Sequence, residues 1–539
     1  MSVAPPVPSS TSRSAGSRDL AAARAALDRG DWRAAVDLTE AVLAEEESGD
    51  AYLVLATALW CGYEIDRSIV EMKAAYRHFT REDLPQRAGW LASWIAFEEL
   101  TTRGNPAVAR GWLQRARRLL EDHPACAERG WFVLWDAAFS GEPQRIAAAA
   151  TEALELARTC GDRDLELESL TVQGLVLVQA GKVDEGMVLL DEVMAAVTGG
   201  ETASPLVVGD AFCLTLGACE QVGDFSRAEE WCRVGLKAAD SRANGFLKAS
   251  CLASYGWILT VLGRWREGEA RLSEAVDLYN VGHRQLRPQA SVRLAELRRR
   301  QGRPAEAARL LRDAPRSAGA LHVLAELALD AADNAGALAL AREIETLVGG
   351  FPVTEQVVAL QLIVRAAAKL GDLETASAAL DQLEEAAFTI RTDSTCAAVW
   401  MARAALLRAR DDQQACATAC VQAARLYTSA RAPFEAAHAT LAQADALRHT
   451  GHADAASRFA TQAREQLERL GQLGSEQLLS RREREVLALL AQGLSNVAIA
   501  KSLALSPHTV HRHVANLLRK LDAPTRAGAV AQAARLGIV

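Results

Sequence analysis

Between Ser506 and Leu521 the chain carries side chains suited to meeting a nucleic acid. Val510, Val514, Leu517, Leu518 and Leu521 recur at three- and four-residue steps, the spacing of one helix face packed on a core. The opposite face then holds His508, His511, Arg512, Ala515 and Arg519, with Asn516 at its margin. A stripe that is basic, polar and small-sided fits a major groove about 12 Å wide. Arg512 offers the fork that donates twice to guanine, His511 can donate or accept, and Ala515 lets the backbone come close to the bases. His511 and His513 diverge by about 200° around a helix, so a shared metal ion is not expected.

Local punctuation predicts the elements that hold this stripe. Ser506 is placed to cap the helix, and Pro507 occupies its first position, where a missing N–H is harmless. Ala504 and Leu505 form a tight turn behind a short helix that starts at Ser495 and buries Ile499, Ala500 and Leu503. Ser480-Arg481-Arg482-Glu483 reads as a capping box. The helix it opens carries Val486, Leu487 and Leu490 on one stripe and stops at Gly493. Two short helices joined by a tight turn, the second well capped, are the sequence form of a helix-turn-helix. From Leu479 onward nine Lys and Arg stand against three acids, a surplus of six in a chain of net charge −8, so the first 478 residues carry −14. A basic module on an acidic body is the electrostatic footprint of phosphate binding.

These residues resemble the LuxR/FixJ/NarL-type helix-turn-helix, a four-helix DNA-binding domain of bacterial transcription factors. The match runs through Ser480-x-x-Glu483-x-Glu485-Val486-Leu487, then Gly493-Leu494-Ser495-Asn496-x-x-Ile499-Ala500-x-x-Leu503. It continues with Ser506-x-x-Thr509-Val510-x-x-His513, Lys520-Leu521 and Arg526-x-x-Ala529-Val530. It covers about a ninth of the chain. The resemblance implies that Asn496, Thr509 and Lys520 position the DNA backbone while His511, Arg512 and Ala515 face the bases. Lys501, Ser506, His508, Asn516 and Arg519 complete the expected DNA-binding set. A fourth helix, about Thr525 to Leu536, is a dimer contact in that family, which implies a homodimer on double-stranded DNA, with RNA polymerase as a further partner. Ala498 replaces the usual acidic residue of the second helix. Base-reading positions vary within the family, so no operator sequence follows.

The body, residues 19–470, reads as almost unbroken amphipathic helices rich in Ala and Leu. Its regularity is a turn followed by a small residue in the next helix, as in Gly30-Asp31-Trp32-Arg33-Ala34-Ala35 and Gly181-Lys182-Val183-Asp184-Glu185-Gly186. The same pattern starts at Gly223, Gly263, Gly302, Gly371 and Gly451, and weaker turns at Gly62, Gly104, Ala332 and Arg410 fill the gaps. Steps of 40, 42, 40 and 39 residues separate Gly141, Gly181, Gly223, Gly263 and Gly302. The expectation is an all-α protein: an α-solenoid of about a dozen helix pairs, then the small four-helix domain at 479–539. The repeats resemble tetratricopeptide repeats, although the period exceeds theirs and HEAT-like pairs share it. A concave groove would bind a small molecule or protein, but no residue declares which. Trp90/Trp94 and Trp131/Trp135 sit at i, i+4 and suit a pocket wall, although filling interhelix gaps is the commoner role. Arg298-Arg299-Arg300 suits an acidic partner or, more simply, a helix C-terminal dipole.

Other classes lack their residues. Residues 1–18, rich in Ser and Pro, are expected to be disordered and have no apolar core for a signal peptide. No later apolar run reads as a membrane span, and ten scattered Cys contain no CxxC, which points to a reduced, cytoplasmic protein without membrane contact. Cys416 and Cys420 share a helix face as small buried thiols. The pattern G-x-x-x-x-G-K-[ST] does not occur, and Gly181-Lys182-Val183 belongs to a repeat turn. No strand–helix alternation exists to build a receiver or Rossmann sheet, so no enzyme, cofactor or metal is expected. The expected function is a transcriptional regulator whose array controls its tail through a linker at 471–478. The competing reading is a repeat scaffold whose terminal helices make protein contacts.

Overall fold

The computed structural model describes residues 15–535 apart from 203, 242–244, 313, 350, 472–478, 480 and 522. Among the described residues there are twenty-eight α-helices and no strand. The first twenty-four, from α1 (Ala15–Asp28) to α24 (Ala453–Leu470), form twelve antiparallel pairs. The protein is thus an all-α solenoid of tetratricopeptide-like pairs followed by a four-helix unit. Its first helix opens at Ala15 instead of Asp19, so residues 15–18 of the expected disordered tail are helical, and 1–14 lie outside the described residues.

Each helix packs on its sequence neighbours, and the odd-numbered ones also stack on one another. Thus α5 (Pro85–Thr101) meets α7 (Ala127–Ser140), α7 meets α9 (Arg163–Gln179), and α9 meets α11 (Pro205–Val222). The stack continues through α13 (Gly245–Val261) and α15 (Arg287–Arg300). Composition explains the two layers. The inner helices α3 (Gly49–Cys61), α5 and α11 are apolar around most of their circumference and buried on most faces. Outer ones such as α4 (Ile65–Arg81) bury one stripe and hydrate the rest. With 18 residues and mean hydropathy 1.2, α11 is long and apolar enough to cross a membrane, against the expectation of no such run; 67% of that stretch is buried among neighbouring helices.

The turns follow the sequence pattern. Gly181 and Gly263 adopt φ of 84° and 82°, the left-handed region that glycine enters cheaply. Of the four weaker turns, Gly104 (φ 66°) and Ala332 (φ 60°) are left-handed where expected, while the other two shift by one residue, to Tyr63 (φ 67°) and Asp411 (φ 63°). The small residue after the turn lets the pair close up. A Cβ on Gly186 would meet Gly174 O at 2.5 Å, and one on Gly268 would meet Gly256 O at 2.8 Å.

The coil winds tightly enough for successive superhelical turns to touch. Arg431 donates to Ser226 Oγ at 3.4 Å and Glu229 Oε2 at 3.2 Å, partners 205 and 202 residues away, about five pairs along the array. Across the same gap α11 also meets α19 (Val353–Leu370). One apolar cluster runs from Ala26 to Ala439. Trp94, Trp131 and Trp135 belong to it and are buried. The Arg298–Arg300 run serves neither an acidic partner nor only a helix dipole. Arg299 and Arg300 are nearly buried and grip Glu296 at 2.7 and 2.8 Å, and Arg300 also reaches Glu435 on α23 (Pro433–His449) at 2.6 Å. Arg298 pairs with Glu269 at 2.7 Å. Local sequence does not reveal that these guanidiniums turn inward, because most of their partners lie tens of residues or more away.

Candidate nucleic-acid interface

The terminal unit consists of α25 (Arg481–Ala491), α26 (Asn496–Ser502), α27 (Pro507–Lys520) and α28 (Arg526–Arg535). It has a separate core of thirteen buried residues, among them Leu479, Val486, Leu487, Leu490, Ile499, Val510, Val514 and Leu517. Leu494, Leu503, Leu505 and Leu518 pack against its edge. Ser495 Oγ accepts from Ala498 N at 3.3 Å and opens α26; Ser506 Oγ accepts from Thr509 N at 3.0 Å and opens α27. Gly493 is left-handed at φ 79°, as expected of a helix stop. The turn into α27 places Ala504 at φ 51°, a strained position for a residue with a Cβ. The capping box cannot be followed, since Ser480 lies outside the described residues.

The stripe predicted to face outward does so. His508, His511, Arg512, Ala515 and Arg519 are exposed along one side of α27, while Thr509 and Asn516 are half-buried at its margins. Arg519 donates to Asn516 Oδ1 at 3.3 Å, and Ser506 and Thr509 hydroxyls meet at 2.8 Å near the helix start. Lys501, at the end of α26, is exposed on the approach to the same face.

Three basic residues hold the unit together through contacts that sequence reasoning missed. Lys520 Nζ donates to Glu483 Oε2 at 2.7 Å, tying the end of α27 to the start of α25; Glu483 is only 5% exposed. The ammonium expected at the DNA backbone thus also meets an internal carboxylate, with the Lys520 side chain 37% exposed. Arg482 pairs with Glu485 at 2.6 Å and also donates to Leu503 O at 2.6 Å, securing the last turn of α26 ahead of Ala504. Arg526 on α28 donates to Asn496 Oδ1, so Asn496 is also engaged within the domain. The only sequence hint was the basic character of positions 482, 520 and 526, read there as phosphate-binding charge.

The luxR family of bacterial regulatory proteins (GerE) matches residues 477–533, which take in the first three of these helices and most of the fourth. The spore germination protein GerE of Bacillus subtilis is 41% identical over 63 residues, 12% of this chain and 85% of that protein. The chain belongs to the luxR family. The quorum-sensing regulator RhlR of Pseudomonas aeruginosa is 46% identical over 61 residues, 11% of this chain and 25% of RhlR. The transcriptional regulatory protein UhpA of Salmonella typhimurium is 54% identical over 48 residues, 9% of this chain and 24% of UhpA. Against regulators of this larger kind the chain spans a quarter of their length or less. The solved structure of the APC/C hetero-tetramer Cut9–Hcn1 is similar over 85% of this chain and 96% of that chain at 13% identity and TM-score 0.36. A Rap protein complexed with competence and sporulation factor is similar over 84% of this chain and 98% of that chain at 12% identity and TM-score 0.35.

Proposed function

We propose that this luxR-family protein is a DNA-binding transcriptional regulator whose α27 enters the major groove. The observation that carries the reading is the exposed row His508, His511, Arg512, Ala515 and Arg519 on a capped helix fixed from behind by Val510, Val514 and Leu517. Arg512 reads guanine, His511 reads an adjacent base edge, and Ala515 admits the backbone. Lys501, Ser506, His508, Thr509, Asn516 and Arg519 hold phosphates or flank the bases. Asn496 and Lys520 act chiefly through the protein contacts described above, presenting α26 and α27 at the right angle. Two copies, meeting through α28, bind a two-fold operator and engage RNA polymerase from there. The acidic array senses a signal and controls the basic tail through residues 471–478, in the cytoplasm with the chromosome.

Nuclease protection on genomic fragments with the full chain tests this. The expected result is a footprint of two related half-sites about 34 Å apart or a multiple of that distance. Absence of any footprint at physiological salt refutes it and leaves the array as a scaffold.

A further inference from the structure

The chain departs from its helix-turn-helix rhythm between α14 (Trp265–Val281) and α15. Residues 282–286 intervene, and Arg284–Leu286 form the only 3-10 helix among the described residues. This insert is wedged against the preceding superhelical turn. A Cβ on Gly282 would overlap the Tyr63 ring. His283, 2% exposed, lies edge-on to the rings of Tyr63 and Trp60 at 5.3 and 5.9 Å, with its Nε2 3.8 Å from Glu98 Oε2. Gly104, left-handed at φ 66°, leaves room for the Gln285 amide, which a Cβ there would meet at 3.0 Å. Elsewhere the seam between the coils closes on such turns, Gly181 against Thr389 and Gly223 against Ser394. Beside the insert a cavity of about 460 Å³ remains. It is lined from one coil by residues 63–67 at the start of α4 and by Thr102, Arg103 and Asn105 ahead of α6 (Pro106–Leu120). From the next coil it is lined by insert residues including Arg284 and Gln285.

The size suits a small molecule, since such sites run from about 300 to 1,000 Å³. Charge selects the class. The guanidiniums of Arg67, Arg103 and Arg284 line the cavity against the carboxylates of Glu64 and Asp66, leaving one positive charge in excess. Arg67 is held by Glu64 and Glu40 at 2.8 Å each, and Arg103 by Asp66 at 2.9 Å and Glu99 at 3.2 Å. Arg284 is not neutralised: its Nε donates to Asn280 O at 3.2 Å, and it forms no ion pair among the described residues. The planar fork of its terminal nitrogens matches an oxyanion, and the wedged insert holds its backbone in place. Thr102, Asn105 and Gln285 add neutral hydrogen-bonding groups, while Glu64 and Asp66 can accept from hydroxyls. Polar groups covered by an occupant must find partners on it, so the occupant is polar over its length. Glu64, Arg67 and Arg284 are exposed, which leaves an open entrance.

We infer that this cavity between the coils is the regulator's ligand site and takes a small polyhydroxylated compound carrying a phosphate or carboxylate. Arg284 holds the anionic group, and Asp66, Asn105 and Gln285 meet the hydroxyls. The inference rests on reading the array as a sensor and names the ligand class that reading leaves open. Calorimetric titration of the full chain with glucose 6-phosphate and with gluconate tests it, the two probes separating phosphate from carboxylate. Saturable binding of at least one is expected, with glucose at least about tenfold weaker for want of a charged hydrogen bond. Arg284→Ala should weaken binding about ten- to a hundredfold with an unchanged thermal melt, because this exposed side chain bonds only within its own segment. Arg469→Ala, at another exposed guanidinium, should leave binding as it was. Hydrogen exchange with the probe bound should slow at residues 63–67, 102–105 and 281–286. Flat titrations with both probes, equal binding of glucose, full affinity in Arg284→Ala, or an equal loss in Arg469→Ala overturns the inference. So does protection gained elsewhere but not at those residues. Those outcomes leave the operator footprint untouched, whereas a missing footprint alongside intact probe binding refutes the DNA reading alone.

Discussion

Replacing Lys520 by Met removes the ammonium from the Glu483 carboxylate while keeping most of the aliphatic stem that packs at the end of α27. Breaking a buried ion pair by deleting one partner costs about 3–5 kcal/mol. Here Glu483 is 5% exposed but Lys520 is 37% exposed, so solvent takes up part of the lost interaction and about 1–3 kcal/mol is the expected loss. A core of thirteen buried residues supports a domain stability of only about 3–5 kcal/mol, so the change is a large fraction of the total. Hydrogen exchange of the full chain isolates the effect, because amides of α25 and α27 should lose protection while those of α9 and α11 keep it. Glu483→Gln combined with Lys520→Met removes both charges, and a double-mutant cycle should return a coupling of about 1–3 kcal/mol. DNA affinity of Lys520→Met should fall only in proportion to the unfolded tail, with an unchanged salt slope. Unaltered protection in the single variant, together with a log-affinity versus log-salt slope shallower by about one unit, would show that Lys520 serves phosphate instead and refute the argument.

Lys501, exposed and outside any ion pair among the described residues, is the better phosphate contact. Lys501→Ala should flatten the salt slope by about one unit and weaken all sequences alike, as measured by fluorescence anisotropy. Arg512→Ala should cost about 1–3 kcal/mol on the preferred operator and relax one base position in a selection experiment. Gly181 and Gly141 are both left-handed, but a Cβ at Gly181 would overlap Thr389 of the next superhelical turn, while Gly141 faces open space. Gly141→Ala should therefore cost about 1 kcal/mol in chemical unfolding and Gly181→Ala clearly more. For Asp210 the folded-state carboxyl is raised, so its protonated form stabilises the fold at low pH, and that stability is lost as pH rises from about 4 towards 7. Asp210→Asn should thus stabilise the chain at pH 8 by on the order of 1 kcal/mol, after allowance for solvent and its coupled neighbour, and change little at pH 4. Thermal melts at the two pH values check the sign.

The sequence by itself determined whatever depends on neighbours within a turn or two of helix. The alternation of Val510, Val514 and Leu517 with His508, His511 and Arg512 dictates which side of α27 faces water, and the structure keeps that division. Ser495, Ser506 and Gly493 punctuate the tail where their side chains, or lack of one, meet orphan backbone groups locally. The period near 40 residues likewise required stacked pairs, because a pair alone leaves an apolar face uncovered. Tertiary structure decided the rest. The pitch of the coil is set by small rotations summed over twelve pairs, so nothing local foretold that Arg431 would reach Glu229. Lys520 and Glu483 are separated by 37 residues, and Arg365 and Glu326 by 39, too far apart for local sequence to pair them. Glu168 is an ordinary helix carboxylate in the sequence and loses its water only when α9 is stacked among its neighbours. Charge side and helix face are local properties, whereas burial and partnership belong to the assembled coil.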